Sequence, residues 1–334
     1  MSTNRKILLA QRPVEMFTES CFEVVEEAVP EPGDGEAIVK VEYFSLDPAM
    51  RGWVRDEPSY LPPVQLGEVM RSGAAGHVTA SKNPSLPVGT AVMGMLGWQE
   101  HAVIGGTTGA MVNALPEGVD LVDSLSLFGS TGVTAYFGVL DVGQPKTGET
   151  LVVSGAAGGV GSIAGQIGKI AGCNVVGIAG SKEKCSWVVD ELGFDACINY
   201  REGDVAGALR AACPNGIDVY FDNVGGEILD AALENMNDFG RLVECGMISR
   251  YNDAELGPGP AHITNIVTRR LRMQGFIVID YLGRFMEAAM QLATWAAEGK
   301  LRHRVHVVDG FLSAPTAINM LFTGENTGKL VVKL

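Results

Sequence analysis

Positive charge is scarce in this chain. Its 334 residues include 25 Lys and Arg against 39 Asp and Glu, a formal net charge of −14 at pH 7. Such a chain repels a phosphate backbone on average, so we expect no nucleic-acid partner. Long apolar runs are scarce too: none would span a bilayer, and residues 1–20 lack the apolar core of a signal peptide. We therefore expect a cytoplasmic protein without a membrane partner.

Paired cysteines and closely spaced histidines are also lacking. The six cysteines are scattered without a C-x-x-C pair, and the five histidines show no H-E-x-x-H or comparable spacing. Closely spaced thiols or imidazoles are what a structural or catalytic zinc site requires. The sequence therefore predicts neither a disulfide framework nor a metal site.

What the chain does contain fits a large two-domain α/β protein. Hydrophobic residues make up 46 % of it, and 43 positions are glycine. Residues 1–125 show short strand patterns separated by Pro- and Gly-rich turns, which predict a β-rich barrel. Strands at 150–154, 174–179, 196–199, 217–221, 240–245 and 273–279 then alternate with helices, which predicts a doubly wound parallel sheet. We expect the tail, with a helix over 313–323 and a closing strand, to return to the first domain.

The most informative stretch is a β-branched run that ends in small residues and passes directly into a helical pattern. It runs from Leu151 to Gly161 and reads LVVSGAAGGVG. Ala156, Gly158 and Gly161 give A-x-G-x-x-G, with alanine in place of the first glycine of the usual dinucleotide-binding pattern. Small residues let main-chain N–H groups approach a pyrophosphate, and the helix start adds partial positive charge. The alternative is a purely structural turn, but the flanking strand and helix favour a cofactor.

The end of the next strand, Asn174–Ala179, indicates which dinucleotide is bound. NAD sites usually carry Asp or Glu there, which binds the ribose 2′-hydroxyl. This chain has Gly180-Ser181-Lys182 instead, and a hydroxyl with a cation suits a 2′-phosphate. Glu183 is either the acid that binds the ribose 2′-hydroxyl or a residue of the first helical turn, where a negative charge is favourable. The alternative for Lys182 is a solvated surface lysine. The sequence thus predicts NADPH rather than NADH.

Seven segments, one of them the glycine-rich turn described above, occur in the order found in one known family. They are Ser45–Arg51 (SLDPAMR), Gly97–Glu100 (GWQE), Thr134–Gly138 (TAYFG), Ser154–Ser162 (SGAAGGVGS), Phe221–Gly226 (FDNVGG), Cys245–Tyr251 (CGMISRY) and Gly324–Lys329 (GENTGK). With these segments the whole chain resembles the zinc-free medium-chain dehydrogenase/reductases. Within them it resembles the group of prostaglandin reductase, leukotriene hydroxydehydrogenase, alkenal double-bond reductase and curcumin reductase. Two positions depart from the family pattern: Ala49 replaces a tyrosine common there, and Arg250 replaces a small or amide residue.

The resemblance implies a GroES-like substrate domain over 1–125, a Rossmann NADPH-binding domain over 126–300, and a segment over 301–334 that returns to the first domain. It places the pyrophosphate on Gly158, Gly159, Val160 and Gly161, the 2′-phosphate on Lys182, adenosine beside Tyr200, and the ribose near Asn223. The other cofactor contacts it implies are Cys245, Gly246, Met247, Ile248, Ser249, Tyr251, Phe276, Ile277, Val278 and Asn326.

The chemistry implied by the resemblance is reduction of a conjugated carbon–carbon double bond in an enone or enal. Zinc members of the superfamily carry a catalytic cysteine where this chain has Ser45–Asp47, so the ion that would stabilise an alkoxide is not expected. In conjugate reduction, hydride reaches the β-carbon and hydrogen-bond donors hold the enolate oxygen until the α-carbon is protonated. Tyr251 is the catalytic candidate, and packing on the cofactor is its alternative. Tyr43 and Tyr60 are further substrate candidates, with a place in the core as the alternative.

Two other functions stay open from the sequence: a quinone oxidoreductase and a catalytically silent NADPH-binding protein. Ser45–Arg51 and Cys245–Tyr251 resemble the alkenal branch and so favour double-bond reduction. Phe276–Asp280 is apolar and has the pattern of a sheet edge. Because such an edge is usually covered or paired, we expect a homodimer joined there.

Overall fold

The chain forms two compact units in a computed structural model that describes residues 3–106, 112–255 and 257–334. The first unit contains Met1–Leu125, Val305–Asn326 and Leu330–Leu334, and the second contains Ser126–Arg304 and Thr327–Lys329. Of the segment over 301–334, most residues therefore belong to the first unit, whereas residues 301–304 and Thr327–Lys329 belong to the second.

The N-terminal part of the first unit consists mostly of strands. Its elements are β1 (Thr3–Leu9), β2 (Phe22–Ala28), β3 (Glu36–Leu46), α1 (Met50–Trp53), β4 (Ala74–Ser81), β5 (Ala91–Gly94), β6 (His101–Gly105), β7 (Val112–Ala114) and α2 (Leu121–Leu125). β1 and β2 form an antiparallel ribbon, and β3 pairs antiparallel with both β4 and β6. Trp98 lies fully buried in the core of this unit, with its ring 5.2 Å from Phe22 and 5.7 Å from Phe44.

The second unit alternates strands and helices. Its elements are α3 (Ser130–Phe137), β8 (Thr150–Ser154), α4 (Gly159–Ile170), β9 (Asn174–Ala179), α5 (Lys182–Asp190), β10 (Ala196–Asn199), α6 (Val205–Ala212), β11 (Ile217–Asp222), α7 (Gly226–Asn235), β12 (Met236–Glu244), α8 (Asn265–Thr268), β13 (Arg272–Gly275) and α9 (Phe285–Ala297). The strands form a six-stranded parallel sheet in the order β10-β9-β8-β11-β12-β13.

Helices cover both faces of this sheet, and consecutive residues of each strand bury apolar side chains on opposite faces. Val152 and Tyr220 belong to one apolar cluster, whereas Val153 and Phe221, the next residues along each strand, belong to the other. A parallel sheet that is buried on both faces needs such continuous apolar strands. The predicted Rossmann sheet is confirmed.

The tail adds β14 (Val305–Asp309), α10 (Ala314–Ala317), α11 (Met320–Thr323) and β15 (Lys329–Lys333). β15 pairs antiparallel with β3, and the sheet order is β14-β15-β3-β4-β5-β7 with β6 also on β3. The single helix predicted over 313–323 is wrong: it is split into α10 and α11. Asn319 N–H bonds the carbonyl oxygen of Thr316 at 3.1 Å, a tight i→i+3 turn that interrupts the α-helical bonding.

The strand predicted over 273–279 is also wrong in its extent. β13 ends at Gly275, and a 3-10 helix occupies Val278–Arg284. Gly275 is the register partner of Glu244, the last residue of β12, so residues after Gly275 have no strand residue of β12 to pair with. Phe276–Asp280 is therefore not an edge strand, and β13 is the edge strand on this side of the sheet, with β10 at the other edge.

Candidate functional site

The turn between β8 and α4 forms a main-chain cradle at the carboxyl end of a central strand. Gly155 has a φ of +59°, and its carbonyl oxygen accepts a hydrogen bond from Gly158 N–H at 2.9 Å. A Cβ on Gly161 would lie 2.3 Å from that oxygen, so the close approach requires glycine. Within the described ranges, no side chain caps α4 at Gly158. The uncapped N–H groups and the helix dipole suit an anion such as a pyrophosphate.

The tail contributes to one side of this cradle. Gly328 N–H donates to the carbonyl oxygen of Ala157 at 2.8 Å, and Gly158 and Gly328 form an isolated parallel bridge. Asn326, two residues earlier in the GENTGK segment, has a buried side chain. The predicted pyrophosphate residues Gly158, Gly159, Val160 and Gly161 thus share one turn, and the end of the GENTGK segment is hydrogen-bonded to it.

Tyr200, the residue predicted to lie beside adenosine, directly follows β10. Its ring lies against Gly180, because a Cβ there would be 3.0 Å from the ring and from the hydroxyl oxygen. The Arg201 guanidinium lies 5.8 Å from the centre of the same ring. A partly exposed aromatic ring in this position offers a surface on which a purine can stack.

The predicted 2′-phosphate residue, Lys182, points into solvent. Its side chain is 83 % exposed, and its Nζ lies 3.8 Å from Glu202. Lys184, one turn into α5, is more enclosed, and its pKa is lowered first by burial and then by the charge of Arg201. Two cations whose charges interact favour an anion that can bind both. The structure therefore adds Lys184 and Arg201 to the candidate phosphate site.

Sequence reasoning missed Lys184 and Arg201, although a signal for both was present. Ser181 is the N-cap of α5, and its hydroxyl oxygen accepts the N–H of Lys184 at 3.2 Å. A lysine three residues after an N-cap serine has its main chain at the anion-binding end of the helix. Arg201 directly follows Tyr200, the residue already assigned to adenosine.

Asp222, fully buried at the end of β11, organises the next loop. Its Oδ1 accepts hydrogen bonds from the hydroxyls of Ser154 at 2.7 Å and Tyr220 at 2.9 Å. The N–H groups of Val224 and Gly225 donate to the same oxygen at 2.9 and 3.0 Å. Burial raises the pKa of Asp222, and these four donors oppose the rise. The carboxyl group thus fixes the start of the loop that carries Asn223.

The loop after β11 and the loop after β12 are joined by main-chain hydrogen bonds. Asn223 Nδ2 donates to the last carbonyl oxygen of β8 at 2.7 Å. The N–H groups of Cys245 and Gly246 donate to the Asp222 carbonyl oxygen at 3.0 and 3.1 Å, and Ile248 N–H donates to that of Asn223 at 3.2 Å. The structure thereby brings together the predicted cofactor residues Asn223, Cys245, Gly246, Met247, Ile248 and Ser249.

Tyr251, the catalytic candidate, folds back over its own loop. Its hydroxyl oxygen accepts the N–H of Met247 at 3.2 Å, and a Cβ on Gly246 would lie 2.8 Å from that oxygen. A phenol that accepts one hydrogen bond can also donate one, so the hydroxyl is oriented by its own loop. Arg250, the departure from the family pattern, pairs with Asp253 at 2.8 Å.

Phe276, predicted to contact the cofactor, packs its ring in an aromatic cluster. The ring centre lies 6.4 Å from that of Phe221 and 6.4 Å from that of Tyr281, in edge-to-face arrangements. Ile277 is the N-cap of the 3-10 helix that begins at Val278. Any contact that Phe276 makes with a ligand would therefore come from its main chain or ring edge.

The two substrate candidates of the first unit lie in different surroundings. Tyr43, on β3, is partly buried and packs on the small cluster that includes Ala75 and Leu125. Tyr60 is 43 % exposed, and its hydroxyl oxygen accepts the Trp53 indole N–H at 2.9 Å. Burial raises the pKa of Tyr60, which keeps the proton on the phenol. Of the two, Tyr60 offers the accessible donor.

The first unit also contains a cavity of about 650 Å³, with Lys40, Glu42, Tyr43 and His101 in its lining. Such charged walls do not suit an apolar ligand. Within residues 3–106, 112–255 and 257–334, no group of three or more His, Cys, Asp or Glu side chains is arranged to hold a metal ion. In the same ranges, every helix is too short or too polar to cross a bilayer.

Comparisons with known proteins agree with this architecture. The family model described as the N-terminal domain of oxidoreductase matches residues 5–112, and that described as zinc-binding dehydrogenase matches residues 159–295. A GroES-like β unit and a Rossmann unit with a glycine cradle together define the class of medium-chain dehydrogenase/reductases.

Similar proteins of known activity indicate which group within this class the chain belongs to. The chain is 42 % identical to the NADPH-dependent curcumin reductase of Escherichia coli K12, over 99 % of this chain and 97 % of that protein. It is 41 % identical to prostaglandin reductase 1 of Bos taurus, over 95 % and 94 %. The crystal structure of CurA from Vibrio vulnificus in complex with NADPH superposes with a TM-score of 0.93, at 42 % identity and 98 % coverage of both chains. The chain belongs to the zinc-free medium-chain dehydrogenase/reductases, in the group of curcumin and prostaglandin reductases.

Proposed function

We propose that the protein is an NADPH-dependent reductase of the carbon–carbon double bond in α,β-unsaturated ketones and aldehydes. The observation that carries this proposal is the glycine cradle at α4, with cations at α5, in a chain 42 % identical over almost its whole length to an NADPH-dependent curcumin reductase. In this proposal the second unit binds the cofactor and the first supplies substrate contacts.

The residues present fit NADPH at three places. The cradle with Gly158, Gly159, Val160 and Gly161 offers main-chain N–H groups to the pyrophosphate. Lys184 and Arg201 would hold the 2′-phosphate, Lys182 would add a solvent-exposed positive charge, and Tyr200 would offer its ring to the adenine. Asn223, the Cys245–Ser249 loop, Ile277 and Val278 would contact the nicotinamide and its ribose, and Asn326 is a further candidate contact. When bound, NADPH supplies the hydride.

The protein's part in the reaction is to stabilise the charge that develops on the substrate, while the proton for the α-carbon comes from solvent. Hydride addition to the β-carbon develops negative charge on the carbonyl oxygen, and a positioned phenol stabilises that charge. We assign this donor role to Tyr251, whose hydroxyl is oriented by Met247 N–H, and a substrate contact to Tyr60. Tyr43 is the weaker substrate candidate because its ring packs inside its own unit.

The substrate test is NADPH oxidation, with NADH in parallel, on four substrates: a 2-alkenal, an aryl enone such as a curcuminoid, a quinone and a saturated ketone. The proposal expects turnover of the enal and the enone with NADPH and a saturated carbon–carbon bond in the product. Turnover of the quinone alone supports the quinone oxidoreductase alternative. Tight NADPH binding without any turnover supports the silent binding protein.

We further propose a homodimer. Strand β13 is the edge of the parallel sheet, and Leu282, Met286 and Met290 are 49 %, 62 % and 62 % exposed in the segment that follows it. An open edge beside exposed apolar side chains favours pairing with a second copy. Light scattering after size-exclusion chromatography tests this, and a species with the mass of one chain contradicts it.

We also propose a cytoplasmic location, as predicted from the sequence. All six cysteines are free thiols, which suits a reducing compartment. Fractionation of cells that express the protein tests this, and recovery outside the cytoplasmic fraction contradicts it.

A further inference from the structure

Glu244 is a buried carboxyl group that the proposed reaction does not use. It ends β12, and both of its carboxyl oxygens are shielded from solvent without a hydrogen-bond partner among the described residues. A carboxylate in such a place is strongly disfavoured, because neither a donor nor a cation offsets the loss of hydration. A protonated carboxyl group costs far less there.

A second carboxyl group lies beside it. Asp222 is the register partner of Glu244 across the β11–β12 pair, so the two side chains share one face of the sheet. Asp222 receives hydrogen bonds from two hydroxyls and two N–H groups, which stabilise its charge. Glu244 receives none, so it is the member of the pair that keeps a proton. Burial, and then the charge of Asp222, raises the pKa of Glu244 to about 8.

The other titratable groups nearby do not offset a charge on Glu244. The Tyr220 hydroxyl on β11 donates a hydrogen bond to Asp222, and burial raises the pKa of Tyr220 well above the usual value. Cys245 follows Glu244 directly, and burial raises the pKa of its thiol to about 12. Both groups are neutral below pH 9.

One cation of β13 and one acid of α7 are engaged elsewhere. On β13, the register partner of Glu244 is Gly275, and the Arg272 guanidinium of that strand donates to the carbonyl oxygen of Val142. On α7, Asp230 pairs with His262 at 3.1 Å. Ionisation of Glu244 therefore places a second negative charge beside Asp222 on a buried face.

The location matters because both proposed cofactor loops start here. Asp222 leads into the loop with Asn223, and Glu244 leads into the Cys245–Ser249 loop. The Asp222 carbonyl oxygen joins the two by accepting N–H groups from the second loop. Repulsion between ionised Asp222 and ionised Glu244 would therefore displace the residues at which the two loops are joined.

We propose that Glu244 is a positioning residue that must hold a proton for these two loops to keep the geometry that binds NADPH. The proposal rests on the cofactor role assigned to the loops under the proposed function. It makes proton binding at Glu244 and NADPH binding linked events, so each strengthens the other.

The test compares NADPH affinity from pH 6 to 9.5 in the wild type, Glu244→Gln and Glu227→Gln. Gln keeps the size of the side chain and cannot ionise. Glu227 is an exposed glutamate in the first turn of the neighbouring α7, so its variant controls for a general change of charge. We expect the wild-type and control Kd to rise at least about tenfold between pH 7 and 9.5. The Kd of Glu244→Gln should stay flat within about threefold.

Calorimetry in buffers of different ionisation enthalpy provides a second readout that a merely structural residue would not move. The wild type should take up protons on binding NADPH at pH 8.5, and Glu244→Gln should lose that uptake. Identical pH profiles for the wild type and Glu244→Gln, or no uptake by the wild type, overturn the proposal. If Glu244→Gln does not fold, the wild-type uptake alone decides. Absence of NADPH binding at pH 7 would instead refute the proposed function.

Discussion

The sharpest prediction concerns Lys184. It lies one turn into α5, is more enclosed than Lys182, and is close enough to Arg201 for the two charges to interact. A charge-assisted hydrogen bond to a phosphate contributes about 1.5–3 kcal/mol. At about 1.4 kcal/mol per factor of ten, Lys184→Ala should weaken NADPH binding roughly ten- to a hundredfold. NADH carries a hydroxyl in place of the 2′-phosphate, so its Kd should change by less than about threefold.

Lys182→Ala is the matched control, since it removes the same charge two residues away. Its side chain is 83 % exposed, and exposed ion pairs contribute about 0–1 kcal/mol, so its effect on NADPH should stay below about fivefold. The assay is titration of each variant with NADPH and NADH, followed by quenching of intrinsic tryptophan fluorescence. An equal loss for both cofactors in Lys184→Ala, or a larger loss in Lys182→Ala, would refute the reasoning.

Four further predictions follow from particular contacts. Tyr251→Phe should lower kcat about a hundredfold and leave the NADPH Kd within about twofold, and an unchanged kcat removes the donor role. Trp53→Phe should raise the KM for an enone, because it removes the indole N–H that is hydrogen-bonded to the Tyr60 hydroxyl. In a Tyr60→Phe background the same substitution should leave KM unchanged, and additive effects of the two substitutions would contradict a role for this contact. Gly161→Ala places a Cβ 2.3 Å from a main-chain oxygen, so the variant should lose NADPH binding and about 1–3 kcal/mol of unfolding free energy; wild-type values for both contradict this. The pKa of Glu244 is raised from 4.5 to about 8 in the folded protein, so between those pH values the native state binds one proton more than the unfolded chain. The free energy of unfolding therefore falls as pH rises, by at most about 5 kcal/mol. The melting temperature of Glu244→Gln relative to the wild type should increase from pH 5 to 9, and a difference that does not change with pH would contradict this.

Much of the second unit was predictable because its strands are local, continuous apolar runs. Asn174–Ala179 and Ala196–Asn199 have the predicted bounds. The misprediction after Gly275 has a tertiary cause: Phe276 is as β-prone as its neighbours, but its partner strand ends and its ring enters an aromatic cluster. A strand end that depends on a residue 31 positions earlier, Glu244, cannot be read from local pattern.

The candidate site was predictable where main-chain geometry demands a residue type, as at Gly161. The site was less predictable where the direction of a side chain determines whether the residue can contact a ligand. Lys182 and Lys184 both follow the N-cap Ser181, and only the fold separates the solvated lysine from the enclosed one. The Glu244–Asp222 pair joins residues 22 positions apart in neighbouring strands, so it needs the register of the sheet to be seen.

The central claim is that hydride from NADPH reduces a conjugated carbon–carbon double bond. The most direct measurement uses NADPH with deuterium at both C4 positions of the nicotinamide, an aryl enone as substrate, and NMR of the product. We expect a saturated ketone with one deuterium on the β-carbon and a solvent proton on the α-carbon. An allylic alcohol with deuterium on the carbinol carbon would show carbonyl reduction and contradict it.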